Sequence, residues 1–217
     1  MRSILVGIPV IYCEDCVYQC INSVESQADE VFIIDNNSTT AIKEIISGKN
    51  VLTNSTNVFV NPAWNQIMEK FLTSAHDYLI ILNSDLVLKP GILNKIRETD
   101  IDYEKTIMLP NPVNEFSVNP PNTVNEIPGG FPGIMIVLSK EMCKAVYPIP
   151  TGLKLWFGDD WIFGKLKNLN YALNIYSEME VIHINGGSRS IFNLPNYTDI
   201  IEEDKVIWET VKHLINI

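Results

Sequence analysis

The sequence predicts an α/β protein with a doubly wound, mostly parallel sheet flanked by helices, and three observations lead there. Short apolar, β-branched runs alternate with segments of helical period along the first half of the chain. The run at residues 78–82 is apolar throughout, as a strand covered on both faces should be. Parallel neighbours need crossover connections, which the intervening helical segments supply. The 217 residues are 46% hydrophobic and 19% charged, enough for one domain whose core needs no disulfide or metal. That domain divides into a first half, residues 1–110, and a less periodic second half, residues 111–217.

Residues 4–9 form the first strand. Pro9 interrupts the apolar run and no small-x-small site follows, so this is not a signal peptide. Cys13, Cys16, Val17, Cys20, Ile21 and Val24 then recur on one helical face. The cysteines therefore read as free apolar positions in a buried stripe, because no second Cys or Cys/His pair stands at metal-ligand spacing. Residues 30–35 form the second strand. Asn37, Ser38 and Thr39 supply N-cap chemistry for a helix ending near Ser47, with Gly48 as its stop. A short strand at residues 51–53 precedes the clearest helix, residues 61–75, with Trp64, Ile67, Met68, Phe71, Leu72 and Ala75 on one face. The wholly apolar strand follows.

Residues 111–130, rich in Pro, Asn and Gly, read as a long loop over a site. Beyond it the pattern predicts a strand at 133–138, helices at 139–146 and 159–169, and strands near 171–176 and 181–184. A terminal amphipathic helix over 197–217 docks through Ile200, Ile201, Ile207, Trp208, Val211, Leu214 and Ile215.

Sixteen basic against 26 acidic residues give a net charge of -10, which argues against a nucleic-acid partner, since phosphate binding needs clustered Lys and Arg. No apolar stretch reaches the roughly 18–20 residues of a membrane span, so the expected location is the cytoplasm, with reduced thiols.

In a doubly wound sheet, ligands sit at the carboxyl ends of the strands. Asp35, Asp85 and His183 each stand at or near such an end. Asn83-Ser84-Asp85 offers one carboxylate and two neutral oxygens, a set suited to a divalent cation carried in on a diphosphate. Asp85 as a turn cap and His183 as a core histidine are the structural alternatives. Asp159 and Asp160 open a helix, where its dipole favours carboxylates and suits either an N-cap or a catalytic base. Gly129-Gly130-Phe131-Pro132-Gly133 permits close backbone approach, yet neither the dinucleotide fingerprint nor the P-loop pattern is present.

Together these residues resemble the GT-A glycosyltransferases, particularly family-2-like enzymes of rhamnosyl- and glucosyltransferase type, from the first strand through His183. The resemblance implies a Rossmann-like GT-A domain. Val6-Gly7-Ile8-Pro9-Val10 and Val31-Phe32-Ile33-Ile34-Asp35 look like the family's first two strands, which makes Pro9 and Asp35 donor-binding residues. Asn61-Pro62-Ala63-Trp64-Asn65 is similar to the Asn-rich helix start, adding Asn61 and Asn65 to the donor side. Leu82-Asn83-Ser84-Asp85 occupies the place of the D-x-D motif, with Asn83 where the first acid stands. Asn83 and Ser84 then fall to the donor, and Asp85 to a Mn²⁺ or Mg²⁺ ion. Gly130-Phe131-Pro132-Gly133 resembles the acceptor-side glycine segment, and Trp156-Phe157-Gly158-Asp159-Asp160 the E-D motif. Gly130 and Trp156 are thereby acceptor-side, and Asp160, beside Asp159, the catalytic base. Val181-Ile182-His183, followed by Gly186-Gly187-Ser188, resembles the segment that returns a His to the metal or diphosphate.

The implied activity is metal-dependent transfer of a hexosyl group from a nucleoside-diphosphate sugar, a UDP-sugar foremost, to a hydroxyl acceptor such as a glycan. Asn83 in place of an acid keeps a nucleotide-sugar-binding scaffold in play. A sugar nucleotidyltransferase is disfavoured, because no Gly- and Arg-rich phosphate loop follows the first strand.

Overall fold

A computed structural model of the chain describes residues 1–112, 133–184, 194 and 196–215. Its main sheet has five strands in the order β3-β2-β1-β4-β7: β1 (Ile4–Val10), β2 (Glu30–Asp35), β3 (Asn50–Thr53), β4 (Tyr78–Leu82) and β7 (Met135–Ser139). The first four run parallel and β7 closes the edge antiparallel to β4. Helices α1 (Glu14–Glu25), α2 (Thr40–Ile45) and α3 (Val60–Thr73) make the crossovers that the alternating pattern predicts. Thr39 caps α2 by accepting the amide of Ile42 at 3.3 Å. The chain moves outward from β1 to β3 and returns to β4 on the other side, so the topological switch point lies between the carboxyl ends of β1 and β4.

Burial follows the strand periodicity. Every residue of β4 is buried, and the apolar face of α3 packs Ile67, Met68 and Phe71 against the sheet. Gly7 in β1 is the point of closest approach. A Cβ there would stand 2.2 Å from Ile67 Cγ2, so only glycine lets α3 lie down at this distance.

A second sheet of three strands, β5-β8-β6, was not apparent in the sequence pattern. It contains β5 (Leu86–Leu88), β6 (Thr106–Pro112) and β8 (Ala172–His183), with α4 (Ile92–Glu98) between the first two. The two strands expected near 171–176 and 181–184 are one continuous strand, with a register shift where it pairs with β6. Asn111 belongs to β6 rather than to a loop, and the remainder of the expected loop, including Gly130, lies outside the described residues.

After β7 come α5 (Lys140–Val146), capped by Ser139, and α6 (Gly158–Asn168). The terminal helix is α7 (Tyr197–Val211), continued by a 3-10 turn at Lys212–Ile215. Ile200 and Ile215 dock as expected, but Leu214 is exposed. None of the described helices is long and apolar enough to cross a membrane.

The cysteines are not all free apolar positions of one helix. Cys16 and Cys20 do belong to the buried stripe of α1, but Cys13 lies just before the helix in a left-handed conformation, φ 64°, and is disulfide-bonded to Cys16. The expectation of free thiols holds only for Cys20 and Cys143.

Candidate active site

At the switch point, a cavity of about 340 Å³ opens where the carboxyl ends of β1 and β4 diverge. Pro9, Val10, Ile11 and Tyr12 form one side, and Asn83, Ser84 and Asp85 the opposite one. Trp156, Asp159 and His183 complete the polar wall, with Phe59, Trp64 and Leu155 supplying apolar surface. Of the expected site residues, the cavity thus gathers Pro9, Asn83, Ser84, Asp85, Trp156, Asp159 and His183.

The second sheet joins residues 98 positions apart. β5 pairs antiparallel with β8 in a register that sets Leu86 opposite His183, and the amide of Ile184 donates to the Asp85 carbonyl at 2.8 Å. This register brings His183 Nε2 to 3.1 Å from Asp85 Oδ2. Asp85 lies between β4 and β5 and is 5% exposed, so its carboxylate is held within the fold. The hydrogen bond to Asp85 raises the His183 imidazole above its ordinary value, with burial acting against it and the attraction of the carboxylate charge reinforcing it.

Asp159 and Asp160 part company at the start of α6. Asp159 faces the cavity and accepts two backbone amides: Gly133 N on Oδ2 at 2.9 Å and Asp160 N on Oδ1 at 3.1 Å. Its Cβ would be only 2.5 Å from any Cβ at position 133, so Gly133 is required for the contact. Asp160 is exposed, lies outside the cavity lining, and hydrogen-bonds through its carboxyl to no other described residue. Desolvation, and then the neighbouring Asp159 charge, hold that carboxyl above the usual carboxylate range, with Lys167 opposing.

Asp35, Asn61 and Asn65 do not reach the cavity lining. Asp35 is buried and accepts the amide of Ser38 at 2.8 Å, shaping the turn between β2 and α2. Its neighbour Asn36 lines the cavity instead, held by Asn54 Nδ2 on its Oδ1 at 2.9 Å. Asn61 donates through Nδ2 to the Trp156 carbonyl at 2.9 Å, and Asn65 exchanges two hydrogen bonds with the backbone of Ile149, at 3.0 and 2.8 Å. Asn61 thereby holds the cavity wall at Trp156, while Asn65 holds Ile149 outside the lining. Gly158 makes the closeness possible, since a Cβ there would overlap Asn61 Oδ1 at 2.1 Å.

The other half of that wall comes from a residue the sequence did not mark. Asp204 of α7 is fully buried and accepts the amides of Lys154 at 2.7 Å on Oδ1, and of Leu155 and Trp156 at 2.7 and 2.8 Å on Oδ2. Leu155 and Trp156 are thereby clamped between α3 and α7. Of the aromatics near the acid pair, only Trp156 lines the cavity. Phe157 stacks on Trp208 with ring centroids 5.1 Å apart, and Trp161 is buried with Nε1 donating to the Val146 carbonyl.

Among the described residues, no group of three or more His, Cys, Asp or Glu is placed to hold a metal ion. Asp85 and His183 together offer a carboxylate and an imidazole facing the cavity. That pair fits a divalent cation that takes its remaining ligands from water and a bound diphosphate.

The model of the family described as glycosyl transferase family 2 matches residues 5–153. Among solved structures, S. aureus TarS residues 1–349 superimposes with a TM-score of 0.64 at 15% identity, covering 93% of this chain and 70% of that one. The same TarS fragment in complex with UDP gives a TM-score of 0.65 at 16% identity, over 83% of this chain and 60% of that one. Against the longer TarS structure, at 15% identity and a TM-score of 0.65, 83% of this chain is covered but only 36% of TarS. No protein of curated function matches the chain.

Proposed function

The chain belongs to glycosyl transferase family 2, and from that premise we propose that it moves a sugar from a nucleoside-diphosphate sugar, foremost a UDP-sugar, to a hydroxyl of a glycan-type acceptor. The observation that carries the reading is the cavity at the switch point, with the Asp85–His183 pair on its β4 side and the Asp159–Asp160 pair beside it. TarS, similar in fold, has been solved with UDP and with UDP-GlcNAc, which supports a uridine donor.

In this reading the donor lies across the carboxyl ends of β1 and β4, with Pro9 and Ile11 on one side and Asn83 and Ser84 on the other. Asp85 and His183 would hold a Mn²⁺ or Mg²⁺ ion, which when bound would neutralise charge on the departing diphosphate. The acceptor hydroxyl attacks the anomeric carbon as the bond to the diphosphate breaks, a single displacement that inverts configuration. Asp160 takes the hydroxyl proton. Its carboxyl, next to the lining residue Asp159 but outside the described lining, accepts no hydrogen bond from another described residue, and its raised affinity for a proton is what a general base requires. Asp159 positions, since both its oxygens are engaged by backbone amides. Trp156 offers a face for a sugar ring on the acceptor side.

Two measurements test this. Calorimetric titration with UDP-, GDP- and dTDP-sugars should show binding to one donor class, and no binding to any of them sinks the reading. Asp160→Asn should bind UDP as before and lose transfer; normal turnover by that variant would remove Asp160 from its role.

A further inference from the structure

The segment Cys13-Glu14-Asp15-Cys16 lies where the mouth of the cavity meets the first turn of α1. Ile11 and Tyr12 line the cavity. Cys13 follows at once, in a left-handed conformation that non-glycine residues adopt only when the surroundings hold them there. No side chain caps α1 at this position. The covalent hold on Cys13 is its bond to Cys16 one turn along, which closes a ring around the helix start. Glu14 inside that ring accepts the Thr39 hydroxyl at 2.8 Å, so the same turn also touches the N-cap of α2.

We propose that Cys13 and Cys16 form a thiol–disulfide exchange site that governs the donor cavity: oxidised, the pair pins the Ile11–Tyr12 lip; reduced, it releases the lip and the first turn of α1, and the donor binds less tightly. This rests on the cavity being the nucleotide-sugar site. A Cys-x-x-Cys pair at the start of a helix within a strand-helix-strand unit is an arrangement in which exchange chemistry is favoured. The two sulfurs differ in access. Cys13 is partly exposed and Cys16 is 2% exposed, so a thiol from solvent meets Cys13 first.

The co-reactant is a dithiol. One of its thiolates attacks Cys13 Sγ, the Cys13–Cys16 bond breaks, and Cys16 leaves as a thiolate in the first turn of a 12-residue helix, whose amides favour negative charge while Glu14 and Asp15 oppose it. The second thiol of the reductant then displaces Cys13 from the mixed disulfide. Two electrons and two protons pass to the protein, and the reductant becomes a disulfide. The nearby Cys20 stays out of the exchange. It is wholly buried, its thiol is turned onto the Asn83 carbonyl at 3.5 Å, and burial pushes it far up from an ordinary thiol.

The test uses the full chain with UDP and Mg²⁺ as the probe, either as isolated or after reduction with dithiothreitol and its anaerobic removal. Calorimetry should show the reduced protein binding UDP about tenfold more weakly, the scale of losing a preorganised wall. Cys13→Ser should bind like the reduced protein under both conditions. Hydrogen exchange provides a readout that needs no ligand: amides of residues 10–17 should exchange faster after reduction. Equal UDP affinity in the two states overturns the proposal, as does unchanged exchange over residues 10–17. Faster exchange with no UDP binding in either state supports the strap and instead sinks the donor reading.

Discussion

Replacing Asp204 with Ala removes the acceptor of three backbone amides at once. The carboxylate is fully buried, and its two oxygens take Lys154 N, Leu155 N and Trp156 N at 2.7, 2.7 and 2.8 Å. An amide left without its partner costs about 1–3 kcal/mol, and because these three lie on a partly exposed segment that water can enter, the low end applies, about 3 kcal/mol in total. For a chain of this size that corresponds to a fall in Tm of roughly 6–12 °C. Asp204→Asn keeps one acceptor oxygen and turns an NH₂ toward an amide donor, so it should fall between the parent and the Ala variant. The assay is thermal unfolding by circular dichroism, followed by UDP titration well below both transitions. UDP affinity should also drop, because Leu155 and Trp156 line the cavity. An Ala variant melting within about 2 °C of the parent would refute the clamp, since three lost charge-assisted hydrogen bonds cannot cost so little.

Gly7→Ala forces a methyl group into Ile67 and should cost about 1–3 kcal/mol, with Ile67→Ala in the same chain returning part of it in denaturant unfolding. The pH dependence of kcat/KM should show an acidic limb set by Asp160. The base works ionised, so activity is present above its folded pKa and lost as pH falls through it, at a midpoint above the ordinary value of 3.8. Asp159→Asn removes the adjacent negative charge and should move that midpoint down, which a pH–rate profile of the variant would show.

The parallel half of the fold was legible because its signals are local. The stripe Cys16, Val17, Cys20, Ile21 and Val24 and the buried run of β4 each report their own environment within one element. The second sheet was not legible. Leu86–Leu88 is three residues long, and its partner strand lies far along the chain, so nothing local distinguishes it from a turn. The same limit governs the site. Asp85 and His183 could be singled out by their place at strand ends, but that they meet is a consequence of β5–β8 register. Asp204 was invisible for a different reason. It stands in Glu202-Glu203-Asp204-Lys205, which reads as a solvated helix face, and only the docking of α7 turns that one acid inward. Asn61 and Asn65 carry the reverse lesson: a polar pair at a helix start resembles ligand machinery, yet Asn61 Nδ2 is spent on the Trp156 carbonyl and Asn65 on the backbone of Ile149, with Asn61 Oδ1 buried and unpartnered among the described residues.

The charge in the cavity opposes a bare diphosphate. Its described lining holds two carboxylates, Asp85 and Asp159, one imidazole, and neither Lys nor Arg. Each unit of negative charge on a diphosphate entering such a cavity meets each carboxylate with a repulsion of about 3 kcal/mol at roughly 5 Å and an effective dielectric near 20. His183, even protonated, offsets one of them and is already engaged by Asp85. A divalent cation held by Asp85 and His183 would reverse the sign of the interaction, and so would let an acidic chain hold a doubly charged leaving group. UDP titrated with Mn²⁺ should therefore bind at least about tenfold more tightly than UDP titrated with chelator, a difference of about 1.4 kcal/mol and well below the repulsion that the ion removes. Asp85→Asn should abolish that difference and raise the chelated affinity, because the repelling charge has gone. Equal affinity with and without the ion in the parent chain would show that the diphosphate is neutralised by other groups, and would separate Asp85 and His183 from the leaving group.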